Sequence, residues 1–171
     1  KLNIIGKNIH WDNDIYSIIP NGINLEKVAA KKGKSDKTSE DCSVVLSVSY
    51  LIKRKAIDYN IKAIQALSKK YPYLNYKIVG DGSEKNNLVK LVNDLKMNEH
   101  IEFLGLKSHQ EVMSYMAECD IFSLPSWNEA FGVVYIEAMA HGKPIIACKG
   151  EGIEDVVTHM KTGMLVKPKD V

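Results

Sequence analysis

From Cys42 onward, short β-branched runs alternate with segments whose apolar residues recur three and four apart. Val44-Val45-Leu46-Ser47-Val48 predicts a strand, and a helix follows from about Asp58 to Lys70, with Ile57, Ile61, Ile64 and Leu67 on one face. Tyr76-Lys77-Ile78-Val79 is the next strand, closed by Gly80-Asp81-Gly82. Leu88, Leu91, Val92 and Leu95 then give the spacing of a second helix, and Ile101–Gly105 a third strand. Ser108-His109-Gln110-Glu111 matches a capping box, with Val112, Met113, Met116 and Ala117 lining the helix it starts. Ile121–Leu124 predicts a fourth strand, and Val133 to His141 an almost wholly apolar helix ended by Gly142. Pro144–Ala147 and Met164–Val166 read as further strands.

Strands alternating with helices imply an α/β fold, a parallel sheet with helices on both faces. The apolar helix at Val133–Ala140 should occupy a packed inner position. In such sheets ligands bind at the carboxyl ends of the strands. The turns at Tyr50–Lys55, Gly80–Ser83, Gly105–Lys107 and Pro125–Gly132 are therefore candidates.

Before Cys42 the pattern fades. Residues 1–26 read as a lead-in, with Ser17-Ile18-Ile19 as a short strand and Pro20-Asn21-Gly22 as a turn. Residues 27–41, rich in Lys, Ser and Asp, read as a mobile surface loop, with a basic membrane-surface patch as the sharper alternative. A length of 171 residues suits one domain, and a net charge of +2 does not call for nucleic acid. No apolar run reaches the roughly 20 residues of a membrane span. Cys42, Cys119 and Cys148 are far apart and odd in number, so buried reduced thiols in a cytoplasmic protein are expected rather than a disulfide framework.

Most candidate motifs have an ordinary reading. Gly80-Asp81-Gly82 follows a strand, but Lys85 stands where the dinucleotide fingerprint needs a third glycine. It is either a weak nucleotide turn or a tight turn in which Ser83 caps the next helix. Asp12-Asn13-Asp14 resembles a metal-holding acidic triplet, yet it lies in a polar lead-in and reads as a solvated turn. The histidines at 10, 100, 109, 141 and 159 show no ligand spacing and read as surface residues or caps, so no metal site is expected. Lys53-Arg54-Lys55 is either a solvated loop or a clamp for phosphate oxygens.

The segment from Pro125 to Gly142 is different. Glu137 is the only formally charged side chain between Ala130 and Ala140. A carboxylate among apolar residues is costly to bury unless something hydrogen-bonds it. Phe131-Gly132-Val133 starts a helix, whose first N–H groups form an anion site that Gly132 lets a phosphate approach. Glu129 precedes that site and Glu137 lies one to two turns in. Ionised carboxylates only accept hydrogen bonds, so the pair suits a ligand rich in hydroxyls. The alternative is a capping Glu129 and a Glu137 bridged to a core Lys or backbone.

This segment resembles the Glu-x7-Glu motif of group-1 retaining glycosyltransferases. These enzymes have two Rossmann-like domains, the GT-B fold, and include bacterial mannosyl- and glucosyltransferases. Ile18–Ile23, Ile78–Gly82, Ile101–Gly105, Ala117–Ser126, Glu137–Ala147 and Thr162–Val166 are similar to that family's segments, in its order. The resemblance implies a Rossmann-like doubly wound parallel sheet, the donor-binding half of the enzyme. Residues 1–26 would be a crossover from an amino-terminal domain, 27–41 a surface loop and 42–171 the nucleotide-sugar domain.

By that resemblance Glu137 holds the ribose hydroxyls, and Glu129 is the catalytic carboxylate facing the sugar. The backbone of Ala130, Phe131, Gly132 and Val133 approaches the sugar and diphosphate, and Gly80, Gly105, Leu106 and Lys107 lie beside the base. Lys55 clamps the diphosphate, but the family's partner Arg, five residues earlier, is Tyr50 here; Arg54 or Lys53 is the candidate replacement. The glycine that usually follows the Lys is Ala56. The expected reaction is transfer of a hexosyl group from a nucleotide-diphosphate sugar, a UDP-sugar by family frequency, to a hydroxyl on a glycan or lipid-linked saccharide. No tightly bound cofactor is implied. The acceptor would bind through the amino-terminal domain, the setting would be cytoplasmic polysaccharide assembly with peripheral membrane association, and this chain alone would be inactive. A non-catalytic nucleotide-sugar module and a nucleotide-sugar epimerase are the alternatives.

Overall fold

The structure, a computed structural model, describes residues 43–170 and Ile23. The expected strand at Ser17–Ile19, the turn at Pro20–Gly22, the 27–41 loop, Asp12–Asp14, His10 and Cys42 lie outside the described residues.

Six parallel strands form one sheet: β1 (Ser43–Val48), β2 (Leu74–Val79), β3 (Ile101–Gly105), β4 (Ile121–Leu124), β5 (Ile145–Cys148) and β6 (Gly163–Val166). Their order is β3-β2-β1-β4-β5-β6. The helices between them are α1 (Ile57–Ser68), α2 (Lys85–Asp94), α3 (His109–Glu118) and α4 (Val133–Ala140). Right-handed crossovers run outward from β1 through α1 and α2, then back through α3 to β4 and onward through α4. This sends the two helix pairs to opposite faces, and α1 packs on α2 as α3 packs on α4. The winding reverses between β1 and β4, so the loops after these two strands flank the crevice where such sheets take ligands.

The central strands are buried on both sides, as continuous apolar runs require: Leu46, Tyr76, Ile78 and Phe122 are fully enclosed. One polar cluster sits among them. The Asn60 amide of α1 donates to Ser47 Oγ (3.2 Å), Tyr76 Oη (3.1 Å) and the Ser123 carbonyl (3.2 Å), while Ser123 Oγ donates to Asn60 Oδ1 (3.0 Å). Each buried polar group has a partner, so the cluster fixes the register of α1 over β1, β2 and β4. Burial drives the Tyr76 phenol far above its ordinary pKa, which keeps it neutral.

Most element boundaries fall within a few residues of the sequence reading, and the capping box on α3 forms in full. Two expectations fail. Ser83 does not cap α2; the helix is entered through Glu84 with no side-chain cap. The Gly80–Gly82 turn instead packs backbone on backbone. A Cβ on Gly80 would lie 1.8 Å from the Ser49 carbonyl oxygen, and one on Gly82 2.4 Å from that of Leu51. The Leu51 N–H donates to the Asp81 carbonyl at 2.9 Å, and the Glu84 N–H to the Leu51 carbonyl at 2.9 Å. Nor is α4 an inner helix: only Tyr135 and Ala138 are buried, and Val133 is exposed. It packs on β5 and against α3, and its remaining side chains are only partly buried or exposed.

Candidate functional site

The crevice is built by two loops that clasp one another. After β1 the chain forms a 3₁₀ turn, Lys53–Lys55, and enters α1 through Ala56 in the left-handed region, φ 56°. That is the place of the expected glycine, and Ala56 takes glycine's conformation without being one. After β4, Pro125–Gly132 leads into α4. The Trp127 N–H donates to the Arg54 carbonyl at 2.9 Å, and Arg54 Nη1 donates to the Asn128 carbonyl at 3.4 Å. Trp127 is held edge-on against Tyr59 of α1, with ring centroids 6.2 Å apart.

The clasp brings charged groups together. Lys55 Nζ donates to Glu129 Oε2, and both side chains are mostly buried, 13% and 14% exposed. Arg54 Nη1 lies 3.6 Å from the same oxygen, and Ser126 Oγ donates to it at 3.2 Å. Lys53 points elsewhere, to Asp58 at 3.3 Å. Tyr50, at the expected arginine position, is 63% exposed. So of the two candidate replacements, Arg54 faces the Glu129 cluster and Lys53 does not.

Glu129 is also fixed through its backbone, by residues without a signal in the sequence. Glu151, which opens the 3₁₀ turn Gly152–Asp155 after β5, accepts from the N–H groups of Asn128 (3.1 Å) and Glu129 (2.7 Å). The Gly152 N–H donates to the Glu129 carbonyl at 3.2 Å, and a Cβ on Gly152 would sit 1.7 Å from the Ala130 carbonyl oxygen. These residues carry no motif; only their position after a strand's carboxyl end marks them. Nearby, burial and then Glu151 raise the Cys148 thiol to about 11, and it donates to the Pro125 carbonyl at 3.0 Å. Cys119 and Cys148 are both buried.

Gly132 opens α4 with φ 75° and no side-chain cap, so the first N–H groups of the helix point into the crevice beside Glu129. A Cβ on Gly132 would meet the Tyr135 ring at 2.5 Å and Glu129 Cγ at 3.4 Å. Tyr135 is anchored from below: its hydroxyl donates to the Leu124 carbonyl, and Ser126 Oγ lies 3.2 Å away. Ala130 is exposed, Phe131 partly so.

Glu137 is 17% exposed, and Oε1 accepts from Nε2 of His109 at 3.0 Å. Among the described residues Oε2 receives no hydrogen bond, and no lysine bridges the carboxylate. The fold therefore satisfies half of this group, which neither sequence reading described. At the far end of the crevice the Gly80 N–H donates to the Gly105 carbonyl at 2.9 Å, joining the turns after β2 and β3. Gly105 has open space on its Cβ side, Leu106 is exposed, and Lys107 pairs with Glu111 at 3.7 Å. The expected site residues other than Glu137, which lies one turn into α4, thus fall at the carboxyl-end side of the strands, in the turns that follow them or the first turn of α4. A surface cavity of about 460 Å³, lined by Val44, Asn75, Tyr76, His100 and Glu102, opens at the opposite end and takes no part in this crevice.

Comparison with known proteins decides the family. The model for glycosyl transferases group 1 matches residues 29–171. The chain belongs to that family. It is 32% identical over 159 residues to the alpha-monoglucosyldiacylglycerol synthase of Acholeplasma laidlawii, covering 87% of this chain and 40% of the relative. HepE of Anabaena, solved with UDP-glucose, is 30% identical, with a TM-score of 0.68 over 74% of this chain and 35% of its own. WaaG, a glycosyltransferase involved in lipopolysaccharide biosynthesis, shares the fold over 99% of this chain and 48% of its own, at a TM-score of 0.79 and 19% identity. The sheet is therefore the Rossmann-like half of a GT-B glycosyltransferase. This group 1 chain spans less than half the length of these relatives. Among its described residues no helix is long and apolar enough to cross a membrane.

Proposed function

We propose that this chain is the nucleotide-sugar-binding domain, residues 42–171, of a retaining glycosyltransferase. The whole protein transfers a hexosyl group from a UDP-sugar to a hydroxyl of a glycan or lipid-linked saccharide. The observation that carries this reading is the clasp at the sheet's reversal point. Lys55, Arg54 and Glu129 meet there beside the uncapped start of α4. The diphosphate lies on the N–H groups of α4 and takes the cations of Lys55 and Arg54. Glu129, released from Lys55, turns to the sugar hydroxyls and offsets positive charge at the anomeric carbon. Glu137 Oε2 takes a ribose hydroxyl, and the Gly80 and Gly105–Lys107 turns flank the base.

By resemblance to the family, the leaving diphosphate accepts the acceptor's proton, so the chain's work is positioning and charge stabilisation. The UDP-glucose held by HepE, at 30% identity, supports a UDP-sugar. The lipid product named for the Acholeplasma relative supports a lipid hydroxyl as acceptor. A calorimetric screen of UDP-, GDP- and ADP-sugars tests the reading. UDP-sugars should bind best, and Glu137→Ala should weaken them about 10- to 100-fold, the worth of a hydrogen bond to a charged group. Unchanged affinity in that variant would remove the ribose assignment. A pure binding module would give the same titrations, but Glu129→Ala would then leave transfer by the whole protein intact.

A further inference from the structure

His109 is the first residue of α3, 65% exposed, and its Nε2 lies 3.0 Å from Glu137 Oε1. The capping box beneath it fixes this position: the Ser108 side chain accepts from the Glu111 N–H, and the Glu111 carboxylate accepts from the Ser108 N–H at 2.8 Å. An ionised carboxylate only accepts, so Nε2 carries the proton of this bond. The imidazole occupies Oε1 and leaves Oε2 without a hydrogen bond among the described residues. A glutamate side chain has three rotatable bonds, and at 17% exposure nothing else among the described residues holds its head.

We propose that His109 is a positioning residue for the nucleoside: it locks Glu137 in the rotamer that presents one oxygen to a ribose hydroxyl. This rests on the ribose assignment above. Without the imidazole, Glu137 samples several rotamers and must be ordered at the moment of binding, which weakens affinity without removing any contact to the ligand. The side chain of glutamine can restore the donor at this distance, whereas that of alanine cannot.

The test is calorimetric titration of this chain with UDP and with 2′,3′-dideoxy-UDP, using His109→Ala, His109→Gln, Glu137→Ala and the His109→Ala/Glu137→Ala double variant. His109→Ala should weaken UDP about fivefold, a loss in the range of one hydrogen bond. His109→Gln should recover most of it. The dideoxy nucleotide should bind wild type and His109→Ala equally, and His109→Ala should cost nothing further in the Glu137→Ala background. If Glu137→Ala leaves UDP binding unchanged, the ribose assignment fails and takes this one with it. If Glu137→Ala weakens UDP but the histidine effect is absent, persists with the dideoxy nucleotide, or adds fully to that of Glu137→Ala, the positioning role is wrong and the ribose assignment stands. His109 is exposed, so these variants should melt with the parent; a lowered melting temperature in His109→Ala, not rescued in His109→Gln, would likewise overturn it.

Discussion

Lys55 and Glu129 form a mutually neutralising pair, and that sets what each substitution should do. Removing Lys55 leaves a mostly buried carboxylate with only Ser126 and a distant Arg54 beside it. Lys55→Ala should therefore lower stability by about 1–3 kcal/mol as well as weaken the diphosphate. Arg54 is more exposed and has no single partner, so Arg54→Ala should leave the melting temperature nearly unchanged. It should still weaken UDP about three- to tenfold while leaving uridine, which lacks phosphates, unaffected. Lys53 points to Asp58, and Lys53→Ala is the control that should do neither. Equal effects of Arg54→Ala on UDP and uridine would show that Arg54 does not replace the arginine lost at Tyr50. In the sequence Glu137 stood out because charge in an apolar run is costly, and Glu129 because it precedes the start of the helix that carries Glu137. The partnership of Lys55 with Glu129 did not, because 74 residues separate them and only the sheet order makes them neighbours.

The helices and loops divide along the same line. Elements with a local cause were legible: the capping box of α3, the glycine that ends α4, the apolar stripe of α1. Features caused by a neighbour were not. Gly80 and Gly82 looked like a ligand turn or a cap, yet their missing side chains make room for the backbone at Ser49 and Leu51. Glu151 and Gly152 had no signal, although they brace the loop that carries Glu129. Gly152→Ala tests that brace: the new methyl would meet the Ala130 carbonyl oxygen at 1.7 Å, so the loop must move. The expected result is a lower melting temperature together with at least tenfold weaker UDP-sugar binding, since a shift near 1 Å disrupts such geometry. Full binding in Gly152→Ala would show that the loop's position is not set from β5. The capping box makes a pH prediction. Bonds from Ser108, first the side chain and then the backbone, hold the Glu111 carboxyl below its ordinary pKa. A depressed acid contributes its stability above the ordinary carboxylate range, near pH 4.5, and loses it as pH falls further. Glu111→Gln should therefore narrow the gap to wild type in melting temperature between pH 6 and pH 3, and a constant gap would show that the capping charge is immaterial.

At the scale of the molecule, the crevice has one wall. The Lys55–Glu129 clasp and the start of α4 lie in the loops after β1 and β4, so the proposed donor site is built from the loops and helices of this one sheet. Transfer needs the anomeric carbon and the acceptor hydroxyl held within reach of one another with water excluded. A one-walled site can supply binding energy for the nucleotide, but it cannot orient an acceptor or shield the sugar. On the proposed function, those duties would fall to sequence outside these residues; the chain spans less than half the length of its relatives. Binding and turnover should then separate. The chain alone should bind a UDP-sugar weakly and reversibly, and should neither transfer the sugar nor hydrolyse it above the uncatalysed rate. Incubating radiolabelled UDP-glucose with the chain, with and without a lipid or saccharide acceptor, and resolving the products measures both. Steady release of free sugar would mean that the clasp alone activates the anomeric carbon. Acceptor-dependent product would mean that these residues contain a complete active site, and the division of labour between the two halves would have to be abandoned.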